Sequence, residues 1–354
     1  MDDKPAADAT SIWDQRYEAG DHVGAKMIME GDPVDFTQHK FLYKHAIAMP
    51  TTGSEDGWII DDLARKFLTP PVEKMLAIGV GMAWVEEHLI SHGHAGHITA
   101  YEMSTTAIEA ARARVRDSPY ADGLDLRSGD VLEEDLPTGA FDVVFVQAAI
   151  HHFDRIEEMF ALMHRVLKPG GLLMYDEYIG PDHHMYEPEV MAVLDAINAC
   201  LAPRYRWNVL THETRESIPP PNLEFMMKHD PSEGVHASRI LPLTYQYFDV
   251  IHRGDYGGTV MRPFFTGILP NFDWEDPKDQ TVARLIVLLE QMLTKHGVLP
   301  HYHANVVARR RKLPRAPLSA EEAARINYSD WPGLKDVERP TKAGGMIARV
   351  FGKG

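Results

Sequence analysis

A chain of 354 residues carrying 36 basic and 52 acidic side chains has a formal net charge of −16, which repels phosphate backbones and anionic membrane surfaces, so neither a nucleic-acid nor a membrane partner is expected. Its single cysteine, Cys200, rules out an intramolecular disulfide, and no run approaches the ~18 apolar residues of a membrane helix. The polar start MDDKPAADAT, without an apolar signal core, completes the expectation of a soluble cytoplasmic protein.

Residues 1–70 are expected to form a helical N-terminal cap. From about residue 72 the chain alternates strand and helix signals. LAIGV is a short buried strand that runs into Gly79 and Gly81, WVEEHLISHG a helix ending at Gly93, and HITAYE the next strand. STTAIEAARARVRD is a helix with a Ser/Thr cap, LDLRSGD a third strand and FDVVFVQA a fourth. RIEEMFALMHRVLK is an amphipathic helix stopped by Pro169-Gly170-Gly171, followed by a fifth strand, GLLMYDEYIG. This rhythm predicts an α/β chain, with a doubly wound parallel sheet covered by helices on both faces. Beyond Gly180 it breaks, and helical lid insertions are expected at about 181–245 and 257–300. Strands YFDVIHRGDYGG and ANVVARRR follow them in turn, closing a domain that spans 71–312 and leaving 313–354 as a C-terminal extension.

Ligand signals fall at the carboxyl ends of successive strands, where open α/β sheets bind small molecules. Gly79 and Gly81 open a strand-to-helix turn, which either clears space for a ligand or serves tight packing. Glu102, at the end of the second strand, can accept both hydroxyls of a ribose or act as a charge at a helix N-terminus. Asp130 can take the exocyclic amine of adenine, with Val131 and Met103 on the two ring faces, or simply hold a turn.

In the order LAIGVG, AYE, SGDV, FDVVFVQAAIHHF and VLKPGGLLMYDEY, residues 72–180 resemble the class I S-adenosylmethionine-dependent methyltransferases. DEYIGP, DPSEGVHASRILPL and DYGGTVMRPFFTGI resemble bacterial methyltransferases associated with glycan or small-metabolite modification. The family's first loop reads acid-x-Gly-x-Gly-x-Gly; here Ala77 takes the acid's place and Ala83 that of the third glycine. The strands YFDVIHRGDYG and ANVVARRR are similar to that family's terminal antiparallel hairpin, so the resemblance implies a Rossmann-like, seven-stranded sheet, mostly parallel with an antiparallel last strand. It also implies S-adenosyl-L-methionine as cofactor and S-adenosyl-L-homocysteine as product. It places Ile78, Gly79 and Gly81 at the methionine portion, Glu102 at the ribose, Met103, Asp130 and Val131 at the adenine, and Gln147 and Ala148 beside the sulfonium.

Methyl transfer to oxygen or nitrogen also needs a way to lose the acceptor's proton. His151 and His152 follow the fourth strand; His151 is the preferred base, and His152, beside Phe153, the more structural of the two. Asp176 and Glu177 are the next candidates for a catalytic acid or base, unless a partner such as Arg165 accounts for them. Tyr178, His183, His184, Asp255 and Tyr256 are expected to bind substrate. A divalent metal held by Asp182, His183 and His184 with Asp176 or Glu177 has no dedicated spacing, and no metal is expected. Trp13, Tyr17 and Trp58 could stack on a ring, although core packing explains them equally well. The activity expected is O-methylation of a hydroxyl on a sugar or secondary metabolite. Competing readings are N- or C-methylation of a small metabolite, an NAD-dependent oxidoreductase, and a non-catalytic S-adenosylmethionine-binding protein. Apolar faces on the second insertion either close a lid or build a homodimer.

Overall fold

The computed structural model describes Asp14 and residues 36–334. Strand β1 (Val72–Ile78) has a fully buried second half, Met75–Ile78, as expected of a strand paired on both sides and covered on both faces. It lies between β2 (Ala95–Glu102) and β4 (Phe141–Gln147), so the strand order reverses at β1. With β3 (Leu124–Ser128), β5 (Leu167–Tyr178), β8 (Phe248–Asp255) and β9 (His303–Arg310) the sheet reads β3-β2-β1-β4-β5-β9-β8. All neighbours are parallel except β9, which runs antiparallel to both β5 and β8. The predicted seven strands and the antiparallel last strand are therefore present.

Three helices connect the parallel strands: α2 (Trp84–Ser91), α3 (Thr105–Val115) and α4 (Ile156–Val166). Ser104 caps α3 by accepting from the backbone N–H of Ala107 at 3.1 Å. Before β1, the described part of the N-terminal region is helical from Lys40 to Thr52 and again in α1 (Ile59–Phe67). Trp13 and Tyr17 lie outside the described residues.

The segment after β5 contains α5 (Pro188–Cys200), a two-stranded ribbon of β6 (Trp207–Asn208) and β7 (Glu213–Thr214), α6 (Leu223–His229) and α7 (Ile240–Tyr247). The ribbon was not foreseen, because two-residue strands carry no periodicity to read. Between β8 and β9 lie α8 (Met261–Phe265) and the long α9 (Pro277–Lys295). After β9, α10 (Ala320–Arg325) leads to Trp331, whose ring meets that of Tyr245 edge-on at 4.8 Å. Asn327 donates to the carbonyl of Ile179 at 2.6 Å and ties this extension to the end of β5. No helix among the described residues is long and apolar enough to cross a membrane.

Candidate active site

On the cofactor side, Gly79 and Gly81 both have left-handed backbones, with φ of 69° and 52°. A Cβ at Gly79 would overlap the side chain of Ala149 in the loop after β4. The glycine therefore lets two strand ends approach each other, the tight-packing alternative of the two that the sequence offers. Gly81 donates its N–H to Glu102 Oε2 at 2.7 Å, and Ser104 donates to Glu102 Oε1 at 3.0 Å. Those two bonds fix the carboxylate across the mouth of the first loop. Burial lifts the Glu102 pKa above the ordinary range against the pull of these bonds.

Ala83, standing where the family has its third glycine, has a left-handed backbone (φ 55°) and is fully buried, a conformation that costs a residue with a Cβ. Ile78 is buried, Met103 and Gln147 are half-buried, and Val131 is buried. Asp130 accepts from Leu132 N–H at 2.9 Å, and its other oxygen lies 3.2 Å from Arg155, so both its turn and its charge have internal partners. Ala148 is exposed with φ 48°, and its N–H binds the carbonyl of Asp176 at 2.9 Å, locking the loop after β4 to β5.

On the acceptor side, the key group is Glu177. It is 1% exposed, and Oε1 accepts from the N–H groups of Ala149 and Ile150, both at 2.6 Å, while Oε2 lies 2.6 Å from His151 Nδ1. Charge-assisted bonds of this length contribute about 1.5–3 kcal/mol each, enough to keep a carboxylate in the interior. With Nδ1–H given to Glu177, His151 presents Nε2 as its lone-pair nitrogen. Burial opposes protonation of His151, but the neighbouring Glu177 outweighs it and moves the pKa up. Both oxygens of Glu177, expected from the sequence as a catalytic acid or base, are thus engaged by the loop after β4. Arg165, the suggested partner, instead donates to the carbonyl of Leu136.

His152 is, by sequence, the more structural of the two candidate histidines. Its Nδ1 lies 3.1 Å from Ser232 Oγ, and its Nε2 lies 3.8 Å from Glu233 Oε2, so it faces the same polar cluster as His151. The two imidazoles are 4.2 Å apart between centroids. His184 Nε2 lies 2.6 Å from Glu233 Oε1, and Arg262 lies 3.3 Å from that same oxygen. His184 is held neutral, its pKa pushed down to about 4 by burial and by Arg262. His183 uses Nδ1 on the carbonyl of Glu233, and both His183 and His184 have positive φ, 51° and 56°. Strained residues of this kind gather at ligand sites.

The Tyr178 ring lies tilted against His184 at 4.1 Å, and its hydroxyl donates to the carbonyl of Pro181 at 2.9 Å. Asp255 pairs with the fully buried Arg253 at 2.7 Å, which explains it without a substrate. Tyr256 donates to Asp176 Oδ1 at 2.9 Å, and burial pushes Asp176 up to about 7. Trp58 packs on His88 at 4.6 Å, in a cleft with Asp61 and His92 at the C-terminal end of α2. Sequence reasoning missed Ser232, Glu233 and Arg262 as site residues. All three stand in segments, DPSEGVH and VMRPFF, noted only for their resemblance, since nothing local in the chain shows that they fold over β4 and β5.

Residues 76–175 match the family model of a methyltransferase domain. The ubiquinone/menaquinone biosynthesis C-methyltransferase UbiE of Ruegeria sp. (strain TM1040) is 29% identical over 118 residues, 33% of this chain and 47% of that protein. Sterol 24-C-methyltransferase ERG6B of Gibberella zeae is 26% identical over 120 residues, 34% of this chain and 31% of that protein. A solved S-adenosylmethionine dependent methyltransferase from Mesorhizobium loti aligns with 71% of this chain and all of its own at 17% identity, with a TM-score of 0.40. The chain spans about half the length of the Ruegeria relative. The segment from β1 to β5 is a class I S-adenosylmethionine-dependent methyltransferase domain.

Proposed function

We propose that the protein transfers the methyl group of S-adenosylmethionine to a small-molecule acceptor, and that the acceptor atom is a hydroxyl oxygen. The observation that carries this reading is the Glu177–His151 pair, which aims Nε2 from the end of β4 into the polar cluster beside the cofactor edge. Methyl transfer is an in-line displacement, so alignment supplies most of the rate and the acceptor's proton needs only a nearby acceptor. His151 Nε2 takes that proton, and Glu177 stabilises the imidazolium that forms. Glu102 holds the ribose, with Asp130 and Val131 at the adenine.

Transfer to carbon is the second reading, favoured by the C-methyltransferase names of the two relatives described above. An adjacent hydroxyl would then lose its proton to the same histidine. Calorimetric titration with S-adenosylmethionine, S-adenosylhomocysteine and NAD is the first test; micromolar binding of the first two without NAD supports the reading, and binding of NAD alone overturns it. Glu102→Ala should weaken S-adenosylmethionine binding by at least tenfold, and unchanged affinity would remove Glu102 from the site. His151→Gln should lower turnover by about 10²-fold or more while cofactor affinity changes little. NMR of the methylated product separates O–CH3 from C–CH3.

A further inference from the structure

Glu233 reaches the two histidines from the segment between β5 and β8. His151, His152 and Glu233 each offer one donor atom, and these atoms lie within 4.8 Å of one another. Two ligands each ~2.1 Å from a shared ion stand at most ~4.2 Å apart. The 3.8 Å between His152 Nε2 and Glu233 Oε2 already meets that limit, and the widest pair needs only a small side-chain movement.

The surrounding hydrogen bonds prepare all three atoms. His151 Nδ1 is held by Glu177, the carboxylate–histidine arrangement that orients metal-bound imidazoles. Ser232 donates its hydroxyl proton to Asp230 at 2.8 Å, so its oxygen accepts from His152 Nδ1–H, which leaves the His152 lone pair on Nε2. His184 and Arg262 both hold Glu233 Oε1, which turns Oε2 toward the histidines.

We propose that His151 Nε2, His152 Nε2 and Glu233 Oε2 form a site for one divalent transition-metal cation of the Zn²⁺ or Fe²⁺ kind. Two imidazoles disfavour Mg²⁺ and Ca²⁺, which prefer oxygen ligands, and three protein ligands leave coordination positions for a small molecule. The cation site stands on this geometry alone; its use in catalysis rests on the methyltransferase reading. In the metal-free protein His151 Nε2 takes the acceptor's proton as described above; with the cation bound that nitrogen is a ligand and solvent takes the proton in its place. An acceptor hydroxyl on the cation then loses its proton to solvent more readily. Its oxygen forms the O–CH3 bond as the S–CH3 bond breaks, and the sulfonium leaves as a neutral thioether.

The full-length protein, stripped with EDTA, is titrated with Zn²⁺ by calorimetry and with Co²⁺ by absorption near neutral pH. One ion per chain is expected, with cobalt bands characteristic of nitrogen ligation. His152→Ala and Glu233→Gln should each weaken binding more than about tenfold, and Ser232→Ala, acting through the orientation of His152, by about tenfold. Circular dichroism confirms that each variant is folded. Absence of stoichiometric uptake by the unaltered protein overturns the proposal, as does undiminished uptake by a folded His152→Ala/Glu233→Gln protein. S-adenosylmethionine titration of the same samples separates the two readings. Cofactor binding without metal uptake defeats the cation site alone, and metal uptake without cofactor binding defeats the methyltransferase reading alone.

Discussion

Ala148 carries an unfavourable backbone at an exposed position, with φ of 48° and no burial to offset it. Left-handed conformations cost a residue with a Cβ on the order of 1 kcal/mol, so Ala148→Gly should raise stability by about that much in urea melts of the ligand-free protein. Ala83 has the same φ problem, but its methyl is buried, and losing it costs about 0.8 kcal/mol; Ala83→Gly should therefore come out near neutral. Glu86, 3% exposed in the first turn of α2, is pushed up to about 8 by burial and by the charge of Glu102. Its raised pKa makes a contribution to stability that is complete below the unfolded value near 4.5 and is lost as pH rises to about 8. Glu86→Gln should flatten that decline and be the more stable protein at pH above 8 by a few kcal/mol, on the order of 1.4 per pKa unit. Denaturant melts across this window check it; parallel pH profiles for the two proteins would contradict the burial argument.

At the scale of elements, the β1–α2 turn and the loop after β4 are built as one unit. Gly79→Ala should destabilise the protein by about 1–3 kcal/mol through overlap with Ala149 and through its φ of 69°. Adding Ala149→Gly relieves the overlap but not the strain. A double-mutant cycle should therefore recover part of the loss, and a purely additive result would show that the two loops do not press on each other. Glu177 extends this linkage from β4 to β5, since one carboxylate holds two loop N–H groups and the His151 ring at once. Local pattern announced the strands and the helix after each. It did not announce that Glu177 would turn inward as an anchor, because alternation along a strand assigns a face and not a partner.

For the molecule as a whole, the described part of the C-terminal extension is integral to the packing. Ile326, Trp331 and Leu334 are 2%, 6% and 3% exposed, and His301 binds Asn327 and Ser329. Trp331→Ala should cost about 3–5 kcal/mol in a urea melt, as for other large core aromatics. A loss under 1 kcal/mol would mean that the extension only rests on the surface. The buried carboxylates and histidines, meanwhile, sit where the segment after β5 folds back over the sheet edge, which makes the active site a product of the closed fold and not of any single element.

Composition and periodicity alone determined the α/β alternation, the seven strands and the glycine turn. These depend on contacts between residues close in the chain, or on hydrophobic runs that state their own burial. The positions proposed for the cofactor edge could be picked out for the same reason, as each ends a strand or opens the turn or helix that follows it. Tertiary structure decided what Glu177, His152, Ser232 and Glu233 do. Glu177 meets His151 across 26 positions and His152 meets Ser232 across 80, and such hydrogen bonds leave no periodic trace in the sequence.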